Sequence, residues 1–230
     1  MERKQATRIQ NSLLHTKEKQ ILEWLAARQP AWVTSDTLTF VGLLGALIIA
    51  AGYILTNVHY GFLWLASLGL VVNWYGDSLD GTLARYRNTQ RPIYGYYVDH
   101  TVDCINEAMM FTGAGLSAFM HLPLALFIFI IYLMLTINVS INAHLKSEFK
   151  ISYASMGPTE FRIVMIIVNT ILATVRPVRE FSVDFDAFGK AFSLGALDLV
   201  GTVILVVLVA IYICTFIKDV KGYAEIDPRK

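Results

Sequence analysis

Four aspartates fall within one stretch, DSLDGTLARYRNTQRPIYGYYVDHTVD, at Asp77, Asp80, Asp99 and Asp103. In a helix, residues three or four apart share a face. Asp77, Asp80, Gly81 and Ala84 therefore form one stripe, and Gly95, Asp99 and Asp103 form a second. Two helices laid together on these stripes gather four carboxylates. Negative charges so close repel one another unless a cation lies among them. Carboxylate oxygens select hard cations such as Mg2+ or Mn2+, and four carboxylates provide for two ions. No cluster of cysteine and histidine of the kind zinc takes is present. A carboxylate-held divalent cation suits a diphosphate substrate, because it neutralises phosphate oxygens during an in-line displacement. The small residues leave room for such a ligand. Gly81 and Ala84 admit a flat group against the backbone beside Asp80, and Arg85 follows as a phosphate partner. Gly95 either lets the two helices close together or leaves space for the same ligand.

Both aspartate pairs sit at the ends of long apolar segments, and the whole composition agrees with a membrane setting. The chain has 230 residues, 55% of them hydrophobic, with a mean hydropathy of +0.52. Charged residues make up 16%, against roughly 25% in soluble domains. The net charge of +1 argues against a nucleic-acid partner. Cys104 and Cys214 both lie in apolar runs and read as small hydrophobes, not a disulfide pair. The N-terminal residues lack an apolar core with a small-residue cleavage site, so no removable signal peptide is expected.

Six apolar runs follow one another and predict an all-α bundle of six transmembrane helices. The first starts at Thr37 after the capping residues Thr34, Ser35 and Asp36. The second runs from Tyr60 to Gly76 and leads into the aspartates. The third runs from Val98 to Met120, the fourth opens beside Pro123, the fifth spans Phe161 to Val175, and the sixth Leu194 to Ile217. Residues 1–33 are expected as a cytoplasmic segment with an amphipathic helix, carrying Leu14, Ile21, Leu22 and Leu25. Such a helix suits the membrane surface, or equally packs on its own protein. Residues 34–218 form the membrane domain, and 219–230 a cytoplasmic tail. Of the nineteen Lys and Arg, only Arg176, Arg179 and Lys190 fall on one side of this layout. The other sixteen put both termini and the aspartates on the cytoplasmic side, in a prokaryotic plasma membrane as the expected setting.

The eight positions Asp77, Asp80, Gly81, Ala84, Arg85, Gly95, Asp99 and Asp103, with their spacing, resemble the signature of the CDP-alcohol phosphotransferase family. The resemblance implies an integral membrane enzyme, usually a homodimer, using a divalent metal. It implies transfer of a substituted phosphate from a CDP-linked alcohol, such as CDP-diacylglycerol or CDP-choline, to an acceptor hydroxyl, with release of CMP, in phospholipid synthesis. By position, Asp77, Asp80 and Asp99 become metal ligands. Asp103 lies beside the second metal and is the general base. Gly81, Ala84 and Arg85, with Gly95 nearby, line the cytidine diphosphate pocket.

Two other classes use intramembrane acids. Intramembrane prenyltransferases bind diphosphate through two aspartate-rich motifs and Mg2+, but want another acid where Ala84 stands. An ion-coupled transporter places its acids near mid-bilayer, not at span ends. Outside the signature, His100 reads as a packing histidine. Glu107 shares a face with Asp103 and extends the site. His144, Lys146, Glu148, Glu160 and Arg162 are candidates to read an acceptor head group, with Arg87 and Arg91 beside them. Asp198, the one charge of the sixth run, either faces a polar cavity or caps a partner helix.

Overall fold

A computed structural model describes residues 7–9, 14–146, 148–150, 157–187 and 190–228. Its long helices are α1 (His15–Ala26), α2 (Ser35–Leu55), α3 (Leu63–Tyr86), α4 (Pro92–Gly115), α5 (Leu122–Lys146), α6 (Pro158–Thr174) and, after the four-residue α7 (Arg176–Arg179), α8 (Ala196–Ile226). Two short strand pairs are additions to the all-α expectation. β1 (Thr7–Ile9) pairs in parallel with β2 (Glu148–Lys150), and β3 (Ser182–Ala187) pairs antiparallel with β4 (Lys190–Gly195). The second pair occupies most of the polar insert between the fifth and sixth runs.

The helix starts follow from local chemistry. Thr34 caps α2, its side chain accepting from Thr37 N at 3.2 Å while Thr37 Oγ1 accepts from Thr34 N. Pro92 opens α4 and Pro158 opens α6, in the first-turn position where proline lacks no needed donor. Glu160 accepts from Gly157 N at 2.9 Å, and Asp198 from Gly195 N at 3.0 Å. These two buried acids therefore cap α6 and α8. Asp198, only 2% exposed, also accepts from His121 N and lies 2.9 Å from His121 Nδ1, tying α8 to the start of α5. Asp198 thus caps its own helix, which the sequence did not suggest, and also binds the start of the neighbouring α5, at the end of the bundle away from the aspartates.

Among the described residues, three helices, Ser35–Leu55, Leu122–Leu145 and Ala196–Ile226, are long and apolar enough to cross a membrane. α5 and α8 turn large apolar side chains outward, among them Phe127, Ile130, Val203 and Val206. α3 and α4 carry the aspartates, and α6 has 17 residues. One buried cluster, including Ile49, Leu63, Leu70, Ala114, Leu172 and Leu197, joins α2, α3, α4, α6 and α8. A second joins α1 to α2 and α3 through Leu22, Ala26, Leu38, Leu79 and Leu83. So α1 does pack on its own protein, and it also leaves Ile21 and Trp24 half exposed on its outer side. Glu18 fastens it, accepting from Trp74 Nε1 of α3 and Thr159 Oγ1 of α6.

α2 and α3 touch backbone to backbone. A Cβ on Gly76 would run into Gly42 N and Leu38 O. This contact sets Gly42 of α2 against Asp77 of α3, and so fixes the aspartate face. Gly76→Val is expected to destabilise the bundle by about 3 kcal/mol through overpacking. Thermal unfolding in detergent measures it; an unchanged midpoint would show that this contact is not what seats α3.

Candidate active and metal site

α3 ends and α4 begins around a five-residue turn. Asn88 in it has φ 55°, a left-handed conformation that asparagine tolerates. Arg87 pins the turn, donating to the carbonyls of Gln29 and Pro30, both at 2.8 Å, and to that of Val33. This arginine is thus occupied in holding the α1–α2 connection against the end of α3. Arg91 stacks over the Tyr94 ring at 3.6 Å and lies 3.8 Å from Asp36.

The turn brings the two aspartate stripes together. One carboxylate oxygen each from Asp77, Asp99 and Asp103 lies within 4.8 Å of the others. Oxygen ligands about 2–2.5 Å from a cation stand roughly 3–5 Å apart, so the three fit one divalent ion. The donor set is all carboxylate, which selects a hard cation.

Asp77 is held from behind. Arg162 of α6 donates from Nη2 to Asp77 Oδ2 at 2.6 Å and from Nε to Asn73 Oδ1 at 3.0 Å. Asn73 in turn donates to the Gly42 carbonyl at 2.9 Å. Three helices therefore meet beneath the carboxylates through one guanidinium and one amide.

Asp80 stands beside this group, not within it. It lines the same cleft but is 9% exposed, and both its oxygens are engaged. Thr39 Oγ1 of α2 donates to Oδ2 at 2.6 Å, and Gly81 N donates to Oδ1. Ser35 adds a bond to the Asp80 carbonyl at 2.9 Å.

Arg85 folds back along α3, with Nη2 3.0 Å from Thr82 Oγ1 and its guanidinium over Gly81. Ala84 is half-buried, and its carbonyl accepts from Thr89 N at 3.0 Å. Gly95 is exposed, with nothing within 4 Å of where a Cβ would project, so helix packing does not require a glycine there.

His100 bonds within its own helix. Its Nδ1 lies 3.0 Å from the Tyr96 carbonyl, its ring stacks on Tyr96, and Asp99 Oδ2 is 3.5 Å away. Glu160, a head-group candidate from the sequence, is taken up in capping and in a bond from Leu14 N at 3.0 Å. His144 is exposed near the end of α5. Lys146 and Glu148 fall outside the residues whose side chains are described. Thr39 and Asn106 line the cleft and Asn73 is buried beneath it, and none of the three stood out in the sequence. The available signals were spacings: Asn73 precedes Asp77 by four and Asn106 follows Asp103 by three, each on its own stripe.

Residues 32–217 match the CDP-alcohol phosphatidyltransferase family. Among curated proteins, the chain is similar to phosphatidylinositol phosphate synthase of Cutibacterium acnes, with 35% identity over 88 residues, 37% of this chain and 39% of that one. It is similar to cholinephosphotransferase 1 of Xenopus laevis, with 32% identity over 105 residues, 43% of this chain and 25% of that one. It is also similar to cholinephosphotransferase 1 of Homo sapiens, with 24% identity over 168 residues, 70% of this chain and 41% of that one. The chain thus spans 25 to 41% of the length of these relatives.

Proposed function

Because the chain belongs to the CDP-alcohol phosphatidyltransferase family, we propose that it is an integral membrane enzyme of phospholipid synthesis. It transfers a substituted phosphate from a CDP-alcohol to the hydroxyl of an acceptor alcohol and releases CMP. The observation that carries this reading is the convergence of Asp77, Asp99 and Asp103 from two helices.

On this reading α2, α3, α4, α5, α6 and α8 all cross the membrane, with both termini and the carboxylates on the cytoplasmic side. Ile21 and Trp24 of α1 rest at the lipid surface, as their exposure supports. The protein works as a homodimer in a prokaryotic plasma membrane.

Asp77, Asp99 and Asp103, with Asp80 beside them, hold Mg2+ or Mn2+, up to two ions. When bound, the metal offsets the charge of the donor's diphosphate and of the displacement at phosphorus. Arg162 keeps Asp77 turned into the cleft. Gly81, Ala84 and Gly95 leave the nucleotide space against the helices, and Arg85 pairs with its phosphates. An alcohol is a weak nucleophile at neutral pH. Asp103 therefore accepts its proton, late, as the oxygen–phosphorus bond forms.

Purified protein with Mg2+ or Mn2+ is to be given CDP-diacylglycerol with glycerol phosphate, inositol phosphate or serine, and CDP-choline with diacylglycerol. One pair is expected to yield CMP in step with product. EDTA should abolish it and added Mn2+ restore it. Pyrophosphate instead of CMP would indicate a prenyltransferase, and ion flux without either product a transporter; both would overturn the proposal.

A further inference from the structure

One turn inward of the carboxylates, α4 carries two oxygens that the mechanism above leaves unused. Asn106 is 5% exposed and lines the cleft together with Asp99 and Asp103, yet its Oδ1 has no hydrogen-bond partner among the described residues. Glu107 Oε2 is also buried without a partner among those residues. Asp99, Asp103 and Asn106 are spaced i, i+4 and i+7, one line along the helix, and Glu107 follows Asp103 by four.

Other buried asparagines in the chain are fully used. Asn73 bonds Gly42 and Arg162, and Asn169 bonds Tyr53 and Ser67. Buried polar groups are almost always paired, and an unpaired one is costly. Asn106 departs from that pattern at the one place where it faces the cleft.

The chemistry narrows what pairs with it. In an in-line displacement the entering and leaving oxygens lie on opposite sides of the phosphorus. Arg85 lies past Asp80 toward the end of α3, whereas Asn106 lies toward the middle of α4. With the nucleotide's phosphates at Arg85, an acceptor seated against Asn106 would lie on the opposite, bundle side of the carboxylates. The reacting hydroxyl has a single proton, and that proton goes to Asp103. Its oxygen bonds to the phosphorus that bears the donor's alcohol. The bond from that phosphorus to the bridging oxygen breaks, and CMP leaves with that oxygen. Asn106 Oδ1, in the cleft lining, is then left for a group other than the reacting hydroxyl.

We propose that Asn106 Oδ1 receives a second hydrogen-bond donor of the acceptor, a hydroxyl or ammonium on a carbon beside the one that reacts. The acceptor is thus a polyol or amino alcohol, not a diacylglycerol. This rests on the transferase reading above. Residues three apart on a helix have side-chain roots about 5–6 Å apart, a gap that neighbouring donors span with hydrogen bonds of about 2.7–3.0 Å to each side.

The test uses the full chain in detergent with Mn2+ and the donor and acceptor pairs named above. CMP is expected with glycerol phosphate, inositol phosphate or serine, and not with diacylglycerol. The matching analogue without the neighbouring hydroxyl or amine should lose roughly five- to a hundred-fold in kcat/KM on the wild type. Which analogue loses activity distinguishes hydroxyl from ammonium, and this arm needs no variant. Asn106→Leu should cut that discrimination to within about three-fold, with Mn2+ affinity by electron paramagnetic resonance unchanged, and Asn106→Asp should retain part of it. Diacylglycerol as the acceptor, or unchanged discrimination in Asn106→Leu, overturns the proposal. So does loss of Mn2+ binding in Asn106→Leu, which would make the residue a metal ligand. Absence of CMP from the wild type with every pair instead fails the transferase reading itself.

Discussion

Asp103→Asn is expected to lower CMP release by roughly 10²–10⁴-fold at saturating Mn2+, the range that loss of a positioned proton acceptor produces. The substitution keeps the shape of the side chain and an oxygen toward the cleft. It removes the negative charge and the capacity to take a proton. Asp103 is one of three carboxylates whose oxygens lie within 4.8 Å, so the same change also weakens the hold on the cation. The two effects separate by titration. For Asp99→Asn, more of the loss should be recovered as Mn2+ is raised, because that residue is given only a ligand's part. For Asp103→Asn a deficit should persist after Mn2+ binding is complete. Turnover of Asp103→Asn at the wild-type rate with metal bound would falsify the assignment of the base. Equal recovery in the two variants would reduce Asp103 to a ligand.

The aspartates were legible because their information is local. Spacings of three and four fix which side chains share a helix face, whatever the helix packs against. The same holds for the cap at Thr34. What was not legible depends on pairing between distant segments. Arg162 lies 85 residues from Asp77 in sequence, and no spacing rule links them. As a charge near the cytoplasmic start of a span, it read as a head-group candidate. Thr39 sits in an uncharged run and gave no sign that it would bond Asp80. Glu160 and Asp198 drew attention as acids near apolar runs, yet their work is capping. A three-residue offset from the helix start was the available clue. The third run was expected from Val98 and begins at Pro92, because Pro92, Gly95 and the tyrosines Tyr94, Tyr96 and Tyr97 interrupt the aliphatic signal. The pairing of β3 with β4 was hidden because residues 176–190, rich in Arg, Asp and Phe, read only as a polar insert between two apolar runs. α8 likewise runs on to Ile226, past the point where its apolar pattern stops.

Arg162→Met is expected to make the stability of the protein depend on metal. In the wild type the guanidinium stands 2.6 Å from Asp77 Oδ2, with side chains 12% and 21% exposed. It is the positive group bonded directly to the carboxylate cluster. Its removal leaves Asp77 close to two other carboxylates and takes away the partner of Asn73 Oδ1. Breaking a fully buried pair costs about 3–5 kcal/mol. At the rim of a cleft, with water able to screen the charges, about 2 kcal/mol is the fitting figure. For a chain of this size that lowers the melting midpoint by about 4–8 °C, measured in EDTA. A divalent cation bound by the same carboxylates supplies the missing positive charge, so Mn2+ should raise the variant's midpoint by more than it raises the wild type's. Arg162→Lys should recover the charge but not both hydrogen bonds, since an ammonium lacks the planar fork. It is expected to fall between the two in EDTA. Equal Mn2+-induced shifts in the wild type and Arg162→Met would mean that the arginine and the metal do not act on the same carboxylates, and that Asp77 is held in the cleft by α2 and α3 alone.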